Sequence, residues 1–314
     1  MTVNIRLVLR ILLVCAAFIC GILVNYYGYV FEAIRVEVRV SLEDSANTST
    51  VRSLLKDGSK GNLSKYVVPN VVHFIWFRTD AKQEMSFLNY ISIISAYRIQ
   101  KPERILFHCN FLPSGAWWNR LWQNVPLHIV FREPPATIYG QKLLHMYHRG
   151  DIAKIEILLE YGGIYLDYDV IVVNSLDPVR VYDATMGKEK PPKFIAGIIV
   201  ARKGSTFLRL LHKSYRNNYR AFDWDYNCAR IAYEIYVKRP DLLHVEPFKF
   251  TTPDWKDRHL LWYGIIDWKQ LYVIHVMGHF NWEEYSPEKI KTINSTFGQV
   301  MRYIYYGSHD LILT

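Results

Sequence analysis

The chain has 314 residues and a mass of 37.0 kDa, with 50% hydrophobic and 21% charged residues, so it can bury a substantial core and is too apolar to be disordered throughout. Lys and Arg number 38 against 29 Asp and Glu, and the resulting net charge of +9 favours anionic ligands without identifying one. The 4 cysteines exclude a small disulfide-stapled scaffold, and the lack of zinc-type spacing argues against a structural zinc site.

The first element in chain order is an apolar run over residues 11–31, preceded by Arg6 and Arg10. At about 1.5 Å per helical residue, this run is long enough to span the roughly 30 Å hydrocarbon core of a bilayer. The basic residues before it predict a cytosolic tail over residues 1–10, a transmembrane signal anchor over residues 11–31 and a lumenal location for the rest. The alternative is a cleaved secretory signal, because the run contains several small residues.

Residues 32–67 are rich in Ser, Thr, Asn, Lys and Gly, which predicts a lumenal stem that buries little apolar area. N-glycosylation sequons begin at Asn47 and Asn62 in this stem, and a third begins at Asn294. The pattern therefore predicts a type II, single-pass membrane glycoprotein whose globular domain occupies residues 68–314.

Short apolar runs and helical periodicity alternate along the globular part, which predicts an α/β fold. Strands are predicted over residues 71–77, 104–108, 127–131, 164–173, 194–201 and 272–276, and helices over residues 87–97, 117–122, 151–161, 206–220 and 225–238. Asp151 is predicted to cap the third helix, and Gly162-Gly163 to end it. Cys109 and Cys228 either form a disulfide in the oxidising lumen or remain buried and unpaired.

An acidic pair, Asp167 and Asp169, interrupts the apolar run over residues 164–173. Residues two apart on an extended chain face the same way, so both carboxylates can reach one ion. Because neighbouring buried carboxylates repel each other and are costly to desolvate, a divalent cation such as Mn²⁺ or Mg²⁺ explains their position. The alternative is a pair of solvated acids at the start of an exposed loop.

Residues 150–170 read G-D-I-A-K-I-E-I-L-L-E-Y-G-G-I-Y-L-D-Y-D-V, and residues 68–77 read V-P-N-V-V-H-F-I-W-F. The first segment resembles the sugar-binding D-x-D region of a glycosyltransferase family that includes mannosyltransferases and α1,4-galactosyl- and N-acetylglucosaminyltransferases. The second segment resembles the opening strand of that family. The resemblance implies a GT-A type, Rossmann-like domain with a mixed sheet, a nucleotide-sugar donor, a Mn²⁺ or Mg²⁺ cofactor and retention of anomeric configuration. It also implies a Golgi enzyme that acts on a glycan or glycolipid acceptor.

Residues of this sequence that match the family motif take their expected roles from the resemblance. Asp167 would lie near the donor ribose and sugar, and Asp169 would ligate the metal that bridges the two phosphates. Asp151 matches an acid near the donor sugar, and Tyr165 of the I-Y-L-D segment joins the donor-binding group. Lys154 stands where relatives have Arg, so that a bidentate fork becomes a point charge.

Two further segments carry candidate site residues by the same resemblance. Ile75 and Trp76 of the opening strand would lie by the nucleobase, the alternative being plain strand core. His275, in V-I-H-V-M-G-H-F-N-W, resembles a late histidine of relatives and is predicted to ligate the metal together with both aspartates, the alternative being a structural histidine. His279 and Trp282 of this segment would close the site over the diphosphate.

Other function classes fit the pattern less well. The I-Y-L-D-Y-D-V-I-V run also matches the nucleophile strand of haloacid-dehalogenase-type phosphatases, but that motif ordinarily opens the fold, and here it lies in mid-chain. A catalytically inactive lumenal protein that binds nucleotide or glycan is a second alternative. A nucleic-acid partner is not expected, because the basic residues are dispersed along the chain.

Overall fold

A computed structural model describes residues 65–189, 193–277 and 284–313. The predicted cytosolic tail, membrane anchor and nearly all of the stem lie outside these residues and stay predictions. In the part of the chain that the structure describes, no helix combines the length and the apolar character needed to cross a bilayer.

Strands and helices alternate as the periodicity predicts. The strands are β1 Val71–Trp76, β2 Arg104–Cys109, β3 Leu127–Phe131, β4 Thr137–Ile138, β5 Gln141–Lys142, β6 Gly163–Leu166, β7 Val170–Val172, β8 Ala184–Lys188, β9 Phe194–Ala201, β10 His244–Glu246 and β11 Val273–His275. The α-helices are α1 Phe87–Ser95, α2 Ala116–Asn124, α3 Met146–Tyr161, α4 Thr206–Asn218, α5 Ile231–Lys238, α6 His259–Tyr263, α7 Pro287–Ile290 and α8 Thr296–Tyr306. Short π-helical turns over Ala96–Gln100 and Tyr226–Arg230 follow α1 and precede α5.

The main sheet has 7 strands in the order β10-β8-β9-β6-β1-β2-β3. β1 runs parallel to β2 and β6, and β2 runs parallel to β3. β9 runs antiparallel to both β6 and β8, whereas β7 leaves this sheet and pairs antiparallel with β11. The predicted α/β class with a mixed sheet is therefore confirmed.

Alternate side chains of β1 enter two different apolar clusters, because successive residues of a strand face opposite sides of the sheet. Phe74 and Trp76 pack on the side covered by α1, α2 and α8, whereas Ile75 packs on the side covered by α3 and α4. Both faces of the strand are thus buried, which explains its nearly continuous hydrophobic sequence.

Two predicted boundaries around the acidic pair are wrong. The helix α3 begins at Met146, so Asp151 lies inside it and does not cap it. The carboxylate of Asp151 bonds instead to the Lys154 ammonium at 3.0 Å, a side-chain partner that replaces the backbone amides of a helix start. The predicted strand over residues 164–173 is broken after Leu166, where the chain turns so that the Val170 amide donates to the Asp167 carbonyl at 3.0 Å.

The twin glycines end α3 and start β6, as predicted. Gly162 and Gly163 have φ values of +69° and +119°, conformations that L side chains rarely adopt. A Cβ at Gly163 would lie 2.8 Å from His73 Nε2, so only glycine lets β6 approach β1 this closely.

Cys109 and Cys228 are both free and buried, which decides between the two alternatives for these thiols. Cys109 lies in β2, and Cys228 lies in the π-helical turn before α5. Burial raises the pKa of Cys109 to about 12 and also raises the pKa of Cys228, so both behave as small apolar side chains rather than as nucleophiles.

Candidate active site

The D-Y-D turn, residues 167–169, lies at the carboxyl-terminal edge of the sheet. Because β1 and β6 are parallel, their carboxyl ends meet there, and the Trp76 ring at the end of β1 contacts the Tyr168 ring edge-on at 5.6 Å between centroids. The Asp167 amide donates to the Gly197 carbonyl of β9 at 2.8 Å, and the Val276 amide donates to the Asp169 carbonyl at 3.0 Å. Backbone contacts from two other segments therefore hold the turn.

Helix α1 supports the same turn through polar side chains that the sequence analysis did not single out. Asn89 Nδ2 donates to the Tyr168 carbonyl at 3.1 Å, and Ser92 Oγ donates to the Val170 carbonyl at 2.6 Å. Their signal in the sequence is a set of polar residues at spacings of three, Asn89, Ser92 and Ser95, on a mainly apolar helix, which places them on one face.

The structure brings together all three residues predicted to bind metal. One potential ligand atom from each of Asp167, Asp169 and His275 lies within 4.8 Å of the other two. His275 reaches the turn because β11 pairs with β7 in a register that sets His275 opposite Val170. The carboxylates of Asp167 and Asp169 do come close together, but a turn and not the predicted extended strand brings them there.

The chemistry of these side chains fits a divalent cation. His275 Nε2 lies 3.2 Å from Asp169 Oδ1, and the buried Nδ1 atom of His275 has no hydrogen-bond partner among the described residues. Two carboxylates and an imidazole form a donor set suited to Mn²⁺. The two carboxylates of this set also suit Mg²⁺. The residues present therefore fit the cofactor that the resemblance implies.

The electrostatics of the cluster also favour a positive charge. Burial alone would lower the pKa of His275, but the Asp169 carboxylate and its hydrogen bond outweigh burial and raise this pKa above the ordinary value. The carboxylates of Asp167 and Glu189 act in the same direction. A cation bound between these acids would relieve their mutual repulsion.

Gly197 of β9 lies against Asp167 and His275, and the sequence analysis did not predict this. A Cβ at this position would lie 2.8 Å from Asp167 Oδ2 and 2.8 Å from His275 Cε1. The available signal was a glycine inside an apolar strand, which often marks a close approach of a ligand or another chain segment.

The predicted donor-binding residues form a connected group next to the metal ligands. Lys154 Nζ lies 3.0 Å from Asp151 Oδ1, 3.9 Å from Asp167 Oδ1 and 3.2 Å from the Ala196 carbonyl oxygen. The Tyr165 hydroxyl donates to Asp167 Oδ1 at 2.5 Å. Asp151, Lys154, Tyr165 and Asp167 are therefore brought together.

Burial and neighbouring charges shift the pKa values of Lys154 and Tyr165 in this group. Burial opposes the charged form of Lys154, but the carboxylates of Asp167 and Asp151 outweigh it and raise the pKa of this lysine well above its ordinary value. Burial and the Asp167 charge raise the pKa of Tyr165, so its hydroxyl keeps the proton that it donates. The cluster thus presents a buried ammonium beside a carboxylate whose Oδ1 atom is already bonded.

Ile75 and Trp76 lie in the core, at 6% and 1% exposure, with the packing expected of strand residues. The Arg78 guanidinium covers Trp76 at 3.9 Å from the ring centroid and lies 4.7 Å from the Tyr168 ring. The predicted contact of Ile75 and Trp76 with a nucleobase stays a prediction, and Arg78 is an additional side chain at this edge. His279 and Trp282 lie outside the described residues.

Residues 114–186, from the start of α2 to β8, match the family described as "Glycosyltransferase sugar-binding region containing DXD motif". The matched segment contains Asp151, Lys154, Tyr165, Asp167 and Asp169. The resemblance identified from the sequence is thus confirmed for this segment.

Two proteins of known name resemble parts of the chain. "Glucan organizing enzyme 1" of Cryptococcus neoformans var. grubii is 31% identical over 131 residues, which cover 40% of this chain and 35% of that protein. "Inositol phosphoceramide mannosyltransferase 3" of Schizosaccharomyces pombe is 38% identical over 60 residues, which cover 19% of this chain and 17% of that protein. The similarity therefore spans about a third or less of the length of each relative.

Solved structures give weaker similarities. The apo-form glycosyltransferase GlyE of Streptococcus pneumoniae TIGR4 matches with a TM-score of 0.46 and 12% identity over 75% of this chain and 60% of that chain. The bifunctional WbbM enzyme matches with a TM-score of 0.45 and 11% identity over 80% of this chain and 52% of that chain. At these scores the similarities support no conclusion about function.

Proposed function

We propose that the chain is a metal-dependent glycosyltransferase of the GT-A type, which moves a sugar from a nucleoside-diphosphate sugar to an acceptor with retention of anomeric configuration. The observation that carries this proposal is the convergence of Asp167, Asp169 and His275 at the edge of the mixed sheet, next to the buried ammonium of Lys154. Carboxylates, imidazole and ammonium together suit a cation and the diphosphate that the cation would bind.

Asp169 and His275, with Asp167, would hold Mn²⁺ or Mg²⁺ in this proposal. When bound, such an ion supplies positive charge that stabilises the diphosphate as it departs from the sugar. Gly197 leaves the space that the three side chains need, since any Cβ there would press on Asp167 and His275.

Lys154 would add a second positive charge on the donor side of the site. Its ammonium is held by the Asp151 carboxylate at 3.0 Å and the Ala196 carbonyl at 3.2 Å, so its position is set before a ligand arrives. Asp151 and Asp167 would accept hydrogen bonds from hydroxyl groups of the donor sugar and ribose. Because Tyr165 occupies Asp167 Oδ1, the other oxygen of this carboxylate is the one directed at ligands.

The relatives and the amino-terminal pattern support a proposal for the acceptor and the compartment. One matched relative is by name a mannosyltransferase for inositol phosphoceramide, and the other is by name a glucan organizing enzyme. We accordingly propose a glycan or glycolipid acceptor, a UDP- or GDP-sugar donor, and a type II Golgi membrane location with the domain in the lumen. The family match favours this function over a phosphatase of the haloacid-dehalogenase type.

The test is an assay of the full chain in detergent with UDP-galactose, UDP-N-acetylglucosamine and GDP-mannose. We expect hydrolysis or transfer from one donor with added Mn²⁺, loss of it with EDTA, and loss of it in Asp169→Asn. Asp241→Asn is the matched control, because Asp241 is an exposed acid paired only with its neighbour Arg239 in the contacts described. Activity that persists with EDTA and in Asp169→Asn would contradict the proposal, whereas donor binding without turnover would support the inactive binding protein.

A further inference from the structure

Two loops next to the active site present large apolar side chains to solvent. They are residues 139–148, around the start of α3, and residues 216–224, after α4. Their exposed apolar side chains, with exposed fractions of 41%, 46%, 40%, 87% and 51%, are Tyr139, Leu144, Tyr147, Phe222 and Trp224. We call these five residues, with the exposed bases named below, the aromatic–basic surface.

Hydrogen bonds of a buried histidine link the two loops. His148, fully buried, contacts the Tyr219 hydroxyl through Nδ1 at 3.1 Å and the Asp223 carbonyl through Nε2 at 3.1 Å. Above it, the His145 ring stacks on Tyr147 at 4.9 Å and meets the Phe222 ring at 6.4 Å. Tyr147 and Phe222 thus lie on one continuous surface, joined through His145.

The backbone around Phe222 is held in place, so its exposure is not a consequence of a loose loop. The buried Asn227 side chain accepts from the Arg220 amide at 2.7 Å and donates to the Arg220 carbonyl at 2.7 Å. The Arg220 guanidinium lies 3.5 Å from the Tyr226 ring centroid. A fixed turn therefore holds the Phe222 side chain outward with 87% exposure. Contact of this apolar side chain with water is unfavourable, which suggests that another surface covers it.

The charges around these aromatic side chains are mainly positive. Exposed bases on the same two loops and the adjoining face of α4 are Lys142, Lys213, Arg216 and Arg220. The acids nearby each lie beside a basic side chain: Asp223 is 3.8 Å from Arg220, Glu156 is 3.4 Å from His212, and Asp225 is 2.9 Å from Arg230 and 3.2 Å from Lys193. The surface therefore complements an anionic partner and not a basic one.

Aromatic rings surrounded by lysine and arginine suit the headgroup region of an anionic membrane. The rings lodge among the headgroups of a bilayer, where their apolar bodies leave water, and the bases pair with anionic lipid phosphates. A held, outward-pointing phenylalanine adds apolar area to that contact at little entropic cost. A second copy of this chain would instead bring like charges together.

We propose that the aromatic–basic surface rests on anionic lipid headgroups of a membrane. The surface adjoins the active site, because Tyr147 and His148 occupy the first turn of α3 and Asp151 follows in the next. A membrane in contact with this surface would lie close to Asp151 and the donor-binding residues beside it. The lipid contact itself does not depend on the proposed transferase activity.

The test is hydrogen–deuterium exchange of the full chain in nanodiscs of phosphatidylcholine, with or without phosphatidylserine. We expect slower amide exchange in residues 139–148 and 216–224 only when phosphatidylserine is present. Phe222→Ser and the pair Lys142→Glu and Lys213→Glu should reduce this protection, by about fivefold for each base, since a basic residue near an anionic membrane contributes about that factor to binding.

The matched control is Val237→Ser combined with Lys238→Glu, because Val237 is 61% exposed and Lys238 is an exposed base on α5. This control should keep the lipid-dependent protection. Equal exchange in both nanodiscs would overturn the proposal, and so would protection that appears in detergent as the protein concentration rises, since this would indicate a second copy on the surface. Neither outcome would bear on the Mn²⁺-dependent assay, so the two proposals fail separately.

Discussion

At the scale of single residues, the Asp167 carboxylate is set by three neighbours. Tyr165 donates to its Oδ1 atom at 2.5 Å, Lys154 lies 3.9 Å from the same atom, and Gly197 leaves the space beside Oδ2. These contacts restrict the position of the carboxylate next to Asp169 and His275. The neighbours of a metal ligand therefore influence how well the site would bind a cation.

Tyr165→Phe removes the hydroxyl that orients Asp167 and keeps the ring in place. We expect Mn²⁺ to bind roughly 10–100-fold more weakly, the range found when a partner of a metal ligand is lost. Titration calorimetry of the full chain measures this change. Tyr306→Phe is the control, because the Tyr306 hydroxyl donates to the Pro287 carbonyl and lies at an exposed site. Unchanged Mn²⁺ affinity in Tyr165→Phe would show that Asp167 needs no such support.

Gly197→Ala places a methyl group 2.8 Å from Asp167 Oδ2 and from His275 Cε1. We expect loss of Mn²⁺ binding and of transferase activity, because the two side chains must move apart. Gly150→Ala is the matched control, since a Cβ at Gly150, inside α3, meets nothing within 4 Å. That control should raise stability by about 0.5–1 kcal/mol through helix propensity. Equal Mn²⁺ affinity in both variants would contradict the role given to Gly197.

The proximity of Asp167, Asp169 and His275 could be expected from the sequence, because two acids inside an apolar run need a special reason to be there and because the late histidine resembles that of the family. Gly197, Ser92 and Arg78 could not, because their importance comes from which distant segment they meet. Ser92 Oγ donates to the Val170 carbonyl of β7 at 2.6 Å, 78 residues further along the chain, and no local sequence pattern encodes that pairing.

At the scale of elements, the active site depends on a break in a strand. The sequence over residues 164–173 reads as one buried strand, yet β6 and β7 belong to different sheets, and the D-Y-D turn joins them. The turn is stabilised by α1, β9 and the segment after β11, all remote in sequence. The start of α3 was predicted too late for a local reason: Asp151 has the residue type of a helix cap, yet its partner is the Lys154 side chain three residues on in the same helix.

Ser92→Ala removes the hydroxyl of α1 that donates to the Val170 carbonyl at 2.6 Å, and leaves that buried carbonyl without this donor. We expect the free energy of unfolding to fall by about 1–3 kcal/mol and Mn²⁺ binding to weaken, because the turn loosens. Urea denaturation of the full chain measures the first change. Ser214→Ala is the control, because Ser214 Oγ donates only to the Leu211 carbonyl within its own helix in the bonds described. A drop in stability without weaker Mn²⁺ binding would contradict the role of α1 in supporting the metal site.

At the scale of the whole molecule, a buried histidine pair ties the central strands together. His73 Nε2 donates to the Gly162 carbonyl at 2.8 Å, because a carbonyl can only accept, and His73 Nδ1 then accepts from His108 Nε2 at 3.1 Å. His108 Nδ1 is buried and has no partner among the described residues. Burial lowers the pKa of His73 from 6.5 to about 4 and lowers the pKa of His108 well below 6.5.

The unfolded chain would take up these two protons near pH 6.5, before the folded protein does. The stability from this pair is therefore complete above that pH and is lost as the pH falls toward about 4, by at most about 1.4 kcal/mol per pH unit for each histidine. Urea denaturation across this range measures the slope. His108→Gln should reduce the slope by up to about 1.4 kcal/mol per pH unit, and His212→Gln, which alters a partly exposed contact with Glu156, should leave it unchanged. A flat profile in the unmodified chain would contradict this assignment.

Binding of Mn²⁺, followed by electron paramagnetic resonance with and without a nucleoside diphosphate, tests the proposed function most directly. The geometry predicts a site whose Mn²⁺ affinity increases with UDP or GDP, because the diphosphate supplies further oxygen ligands. The same site should be lost in Asp169→Asn and kept in Asp241→Asn. If Asp169→Asn bound Mn²⁺ and nucleotide as tightly as the unmodified chain, the cation would lie elsewhere, and the proposed role of the D-Y-D turn would be wrong.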